Sequence, residues 1–267
     1  MDNFWILFLL FTAYSFLGWL CESIFCSIPA GKWINRGFLN GPFCPIYGVG
    51  GILVATLLSP FAHDLFLLYF AGVMITTALE YVTGFALEKI FHTKYWDYSE
   101  HRFNFQGRIC LDNSLLFGVM CVVGMKLIHP ALLYLLQRIP GRALPLLAGA
   151  FILYFICDTL LTLRTVLQLN GKLRELQLIL DEIKQRASAA TSETIENLQA
   201  AFASLLDDDT REALKALFER KEKLEGVGKG VQRLIRAFPT MKSVPNNESL
   251  QRIRKAIAER TRRIKYK

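Results

Sequence analysis

The feature that constrains this chain most is a series of apolar stretches, each long enough to cross a bilayer. A crossing takes about 20 mostly apolar residues, because about 30 Å of hydrocarbon is covered at about 1.5 Å per residue. Residues 4–27, Leu65–Ile90, Ser114–Gln137 and Ala143–Leu167 meet that length. Pro45–Phe61 sits at the short end of the range, with Pro45 in a first turn where a missing N–H costs little. Five spans are expected. The first stretch has no basic segment ahead of it and is itself long enough to span, so it reads as a retained helix, not a cleavable leader.

Charge divides the chain. Residues 1–167 carry 10 Lys/Arg and 9 Asp/Glu, whereas 168–267 carry 21 and 14, so most of the net +8 lies in the second part. The expected fold class is all-α. It comprises a five-span membrane helix bundle over 1–167, with structured loops at 28–44 and 91–113, and a cytosolic helical or coiled-coil domain over 168–267. Lys32, Arg36, Lys94, Arg102 and Arg108 fall in those two loops, and the tail is basic. By the positive-inside rule, both loops and the C-terminus face the cytosol and the N-terminus lies outside.

In the tail, Leu169, Leu173, Leu176, Leu180 and Ile183 repeat at spacings of 4, 3, 4 and 3. Over about two heptads, that seam serves a hairpin within the tail or a coiled-coil homo-oligomer equally well. Further helices are expected over Thr194–Leu206 and from Asp209, the latter with a seam of Leu214, Leu217, Leu224, Val231 and Leu234. The Gly226-Val227-Gly228-Lys229-Gly230 run fails as a phosphate loop: Lys223 stands where the first glycine belongs, and no Ser or Thr follows Lys229. It reads as a hinge. The last 16 residues hold eight Lys/Arg and one acid. Arg252, Arg254, Lys255, Arg260, Arg262 and Arg263 flank Leu250, Ile253, Ile257 and Ile264, a pattern suited to anionic membrane lipid. No fold or aromatic platform supports a nucleic-acid partner.

All six cysteines lie before residue 168, none in a Cys-x-x-Cys pair, and the four histidines are scattered. Neither a metal site nor a cofactor is expected.

Ionisable groups inside spans are costly, at about 2.5–3.5 kcal/mol even on lenient insertion scales. Glu22, Glu80 and Glu88 sit in the first and third spans, and three carboxylates near one end of a bundle need cations, donors or protons. The loops supply donors: Asn35 and Arg36 in one, Trp96, Asp97, Tyr98, Asn104 and Arg108 in the other. These ten residues are the candidate binding site, with Glu80 at its floor. Lys126 and Asp158 differ in depth by only about 4–5 Å and are expected to pair inside the bundle.

Ser15-Phe16-Leu17-Gly18-Trp19 with Glu22, Asn35-Arg36-Gly37-Phe38-Leu39, Gly41-Pro42, Cys44-Pro45-Ile46-Tyr47-Gly48, Glu80-Tyr81, Trp96-Asp97-Tyr98-Ser99 and Gly107-Arg108-Ile109-Cys110-Leu111 form a set. As a set, they resemble the CmpB-like family described as "putative ABC-transporter type IV". The likeness spans about residues 10–120, and Arg236–Ser243 is similar to longer members. Phe117-Gly118 departs from an expected Trp-Gly. The resemblance implies a multi-pass permease-like protein of the bacterial cell membrane, working with a separate ATPase subunit. Three functions are weighed. The first is a transport component with a cytosol-facing site for a small polar or cationic solute. The second is a scaffold recruiting a partner through its tail, and the third a membrane-embedded enzyme acting on lipid. The last is least supported, since no nucleophile–base pair or metal motif occurs, and catalytic residues are not assigned. A polar cavity among the carboxylates distinguishes the transport and enzyme readings from the scaffold, which needs only closed ion pairs.

Overall fold

The computed structural model describes residues 4–188, 219 and 226–265, with side chains described to 182 in the first run and to 259 in the last. Helices dominate it. Four are long and apolar enough to cross a membrane: α1 (Phe4–Ala30), α3 (Leu65–Phe91), α4 (Leu111–Gln137) and α5 (Ala143–Ser188), the last by its apolar portion. Between α1 and α3 lies α2 (Pro45–Leu57), a shorter apolar helix followed by a 3-10 turn at Ser59–Phe61. Its 13 residues rise about 20 Å, less than the hydrocarbon thickness. A hairpin of β1 (Asn104–Phe105) and β2 (Ile109–Cys110) precedes α4, and α6 (Lys229–Ala237) and α7 (Asn247–Lys265) complete the helices described.

The chain forms two compact units, one of Met1–Arg164 with Arg233–Lys242, the other of Thr165–Gln232 with Ser243–Lys267. The segment Arg233–Lys242, expected as part of the tail, thus belongs to the unit that holds the apolar helices.

In the first unit, Phe66, Phe70, Met74 and Leu146 are exposed on the outside of the helices, the distribution that suits a lipid-facing surface. Inside, Val54, Ala55, Leu58, Leu68, Cys121 and Met125 form one cluster, and Leu9, Leu144 and Ala148 another. Helix α4 carries a π-helical turn at Gly124–Ile128. Pro130 has no N–H to offer the carbonyl of Lys126, and the ladder widens at that point.

The loop after α1 does not stay above the helix ends. It runs back along α1 until the Cys44 N–H donates to the carbonyl of Ser15 at 2.9 Å, so α2 begins about halfway down α1. Irregular backbone at that depth requires partners, because an unsatisfied group costs several kcal/mol away from water. Side chains supply them. Ser27 Oγ accepts from Ile34 N at 2.8 Å, and Ser23 Oγ from Arg36 N at 3.1 Å. Asn35 Nδ2 donates to the carbonyl of Asn40 at 2.9 Å, and the Asp158 carboxylate accepts the N–H groups of Asn40 and Gly41 at 3.0 and 2.8 Å.

This overturns the expected Lys126–Asp158 pair. Asp158 is buried and spends both oxygens on the loop backbone, while Lys126 lies exposed on the π-turn. Equal depth did not imply a shared face.

In the second unit Leu169, Leu173, Leu176 and Leu180 are buried, as are Val227, Val231, Leu250, Ile253 and Ile257. Lys172 Nζ donates to the carbonyl of Gly226 at 2.8 Å, and Ser249 Oγ to Gln177 Oε1 at 2.9 Å. The leucine seam is therefore covered within one chain. The apolar side of α7 is also turned inward. Residues 226–228 are non-helical and Lys229 opens α6. The helices expected over Thr194–Leu206 and from Asp209, the seam residues Leu214, Leu217 and Leu224, and the side chains of Ile183, Arg260, Arg262 and Arg263 lie outside what is described.

Candidate functional site

Three of the expected residues meet on α1 and its loop. Arg36 Nε lies 3.5 Å from Glu22 Oε2, the Tyr47 hydroxyl donates to Glu22 Oε1 at 2.7 Å, and Trp19 Nε1 donates to Asn35 Oδ1 at 2.6 Å. Trp19 and Tyr47 were not among the expected site residues. Both stand inside motifs that the sequence singles out, Ser15–Trp19 and Cys44–Gly48, and that was the available signal.

Five more meet on α3 and the second loop. Arg108 Nε and Nη2 reach Glu88 Oε2 at 3.1 and 2.8 Å, and the guanidinium lies 5.5 Å from the ring centroids of Tyr81 and Phe85. Trp96 Nε1 donates to the carbonyl of Arg108 at 2.9 Å. Beneath these, Glu80 is only 6% exposed; its Oε1 accepts from the Tyr98 hydroxyl at 3.2 Å, and its Oε2 has no hydrogen-bond partner among the described residues. Burial pushes the Tyr98 hydroxyl far above its usual range, reinforced by the charges of Glu80 and Glu22, so Tyr98 remains a donor.

Asp97 and Asn104 do a different job. Asn104 Nδ2 donates to the carbonyl of His101 at 2.7 Å, its Oδ1 accepts from Gly107 N at 3.0 Å, and Asp97 Oδ1 accepts from Ser99 N at 3.1 Å. Together they fix the turn at Gln106–Gly107, where both residues have positive φ. A Cβ on Gly107 would lie 2.4 Å from Asp97 Oδ1, so the turn needs glycine for space as well as conformation.

The two loops meet through Phe38, whose ring centroid lies 5.7 Å from Phe91 and 5.3 Å from Tyr95. A cleft beside Gly84, Glu88, Trp96 and Arg108 measures about 10 Å³, room for about one water. Among the described residues, no group of His, Cys, Asp and Glu could hold a metal ion.

A third segment closes the same end of this unit. Arg36 also donates to the carbonyl of Ala237 and lies 4.8 Å from the centroid of the Phe238 ring, which stands edge-on to Tyr95 at 5.1 Å. Arg233 Nη1 and Nη2 donate to the carbonyls of Gly37 and Phe38 at 3.2 and 3.1 Å, and Lys242 pairs with Asp97. The sequence marks this stretch through the family-like run Arg236–Ser243, but gives no hint of where it docks.

Four helices long and apolar enough to cross a membrane mark a membrane protein. Residues 9–163 match the family described as "Putative ABC-transporter type IV", and the chain belongs to that family. No curated protein and no solved structure matches it.

Proposed function

We propose that this protein is a permease-like transport component, held here with its polar site shut. Glu80 is the observation that carries the reading. A carboxyl kept only to lock a bundle should be fully bonded, because a buried orphan acceptor costs about 1–3 kcal/mol. Glu80 instead leaves one oxygen without a hydrogen-bond partner among the described residues, beside two arginine–glutamate pairs. That suits a group that takes up a proton or a small cation when the pairs part. The short α2 adds support. With the loop that leads into it, α2 completes a fifth crossing, N-terminus outside and C-terminus cytosolic, and interrupted crossings near the midplane are where secondary transporters bind. Under this reading Glu22, Asn35, Arg36, Glu88, Trp96, Tyr98 and Arg108 form the gate, while Asp97 and Asn104 hold its turn. A separate ATPase subunit would act at the same face, and the basic end of the tail would bear on anionic lipid of the cell membrane. Tail-mediated oligomers would need a surface other than Leu169–Leu180, which is buried.

A hydrophobic carbodiimide, which modifies protonated carboxyls from within a bilayer, tests the reading on the full chain in liposomes. Glu80 should be labelled, sodium or potassium should slow the labelling, and Glu80→Gln should remove it without loss of folded protein. An inert Glu80 would sink it.

A second reading is favoured by the closed pairs and the small cleft, about 10 Å³, beside Glu88 and Arg108: a non-catalytic scaffold. It expects Glu80→Gln to change neither labelling nor partner capture. Co-purification of an ATPase from native membranes, lost on Glu80→Gln, would weigh against it.

A further inference from the structure

The two loops pair with Arg233–Lys242 along its length, while Arg233 Nε has no hydrogen-bond partner among the described residues. Two loop carbonyls, Gly37 and Phe38, accept from Arg233. One loop donor, Arg36, takes the carbonyl of Ala237, and the same guanidinium and the Tyr95 ring bracket Phe238. One loop carboxylate, Asp97, takes Lys242. Ala237, Phe238 and Met241 are buried. This is the pattern of a short peptide held in a receptor: backbone groups paired, an aromatic anchor enclosed, a charge fixed at the end.

Two further facts separate the segment from ordinary core. The residues that hold it lie within 9–163, the part that matches the family, whereas the segment itself lies outside that match. The chain flanking it on both sides is assigned to the other compact unit. Its first five residues are the C-terminal part of α6, and the rest lies beyond that helix.

We propose that the loops 31–45 and 93–111 form a peptide-docking site, which Arg233–Lys242 occupies in cis as a releasable latch. Its basic–aromatic–basic pattern of Arg233, Phe238 and Lys242 is the specificity the site reads. Arg36 is shared between the latch and Glu22, so release of the latch removes two of the partners that hold Arg36 in place. The proposal rests on the geometry of the loops and does not depend on the transport reading.

The test uses the full chain in detergent and a fluorescent peptide of residues 230–244. Chain carrying Phe238→Ala and Lys242→Ala, with its own latch weakened, should bind the peptide at least tenfold more tightly than the wild type, whose site is filled. Asp97→Lys in that background should lower the affinity, and a peptide carrying Lys242→Glu should recover it. Failure of the weakened chain to bind, or binding indifferent to Asp97→Lys, overturns the proposal. Should Asp97→Lys impair folding by itself, the cis charge swap decides: Asp97→Lys with Lys242→Glu should regain thermal stability lost in Asp97→Lys. Equal losses in the two overturn the proposal as well.

Discussion

The Asp158 carboxylate accepts the backbone N–H of Gly41 at 2.8 Å, joining a helix to a loop 117 residues away in sequence. A second oxygen takes Asn40 N at 3.0 Å, and Asn40 Nδ2 reaches Thr162 Oγ1 at 2.8 Å, one turn further along α5. The loop approaches so closely that a Cβ on Gly41 would sit 1.7 Å from the Tyr154 hydroxyl.

Asp158→Asn should therefore destabilise the protein, by about 1.5–3 kcal/mol, since one amide oxygen replaces two ionised acceptors and an NH2 group faces a backbone donor. Lys126→Met should leave stability within about 0.5 kcal/mol, or raise it, because Lys126 is exposed and unpaired with Asp158. Thermal unfolding in detergent separates the two. Similar losses for both would restore the pairing that the structure replaces.

The long spans were legible because their signal is local: length and apolarity suffice. So were Arg108–Glu88 and Arg36–Glu22 as groups of opposite charge at the same end of the spans. Asp158 was misassigned because depth can be counted from a sequence, whereas azimuth cannot. A π-turn at Gly124–Ile128 further shifts the phase of everything beyond it. The descent of Gly37–Cys44 to the level of Ser15 was equally hidden. Glycine and proline announced turns, but the side chain that accepts the Asn40 and Gly41 N–H groups there is Asp158, 118 and 117 residues away in sequence. The latch lies about 200 residues from Arg36, beyond any periodic signal.

Arg108 and Glu88 should couple strongly. Their side chains are only 13% and 20% exposed, and two guanidinium nitrogens meet one carboxylate oxygen. Removing one partner leaves a largely buried charge, so Arg108→Gln or Glu88→Gln alone should cost about 2–4 kcal/mol, while the double change should cost less than their sum. Arg108→Lys should recover only part of the loss, because an ammonium cannot reproduce the fork. A double-mutant cycle on unfolding midpoints measures this, and additive losses would refute the coupling.

Gly107→Ala should disorder the second loop. The position has φ of 68°, and the added methyl would fall 2.5 Å from Ser99 Oγ as well as against Asp97. A loss of about 1–3 kcal/mol is expected, from strain together with overpacking. Ser99→Ala should relieve part of the crowding but none of the backbone strain. Complete rescue by Ser99→Ala would show that φ does not matter there.

The latch contact between Lys242 and Asp97 sets a pH window. Burial pushes the Asp97 carboxyl up, but hydrogen bonds from Lys242 and from the Ser99 hydroxyl and amide outweigh it, and the group ends below its usual range. Its contribution is present above the unfolded value of about 3.9 and is lost as pH falls through the depressed folded value. Lys242 is raised, first by its hydrogen bond to Asp97 and then by the Asp97 charge, with Glu100 adding to it. Its contribution is present below the unfolded value of about 10.4 and is lost as pH rises through the raised folded value. Lys242 is half exposed, with 49% of its side chain accessible, so screening holds the effect to about 1 kcal/mol or less. Wild type and Lys242→Met should therefore differ in unfolding midpoint by a constant amount from about pH 5 to pH 9. The difference should shrink in acid below about pH 4 and in alkali above about pH 10, and salt should reduce it throughout. A gap that does not narrow at all as pH falls below about 4, or none at pH 7, would show that the Asp97–Lys242 pair does not hold the latch.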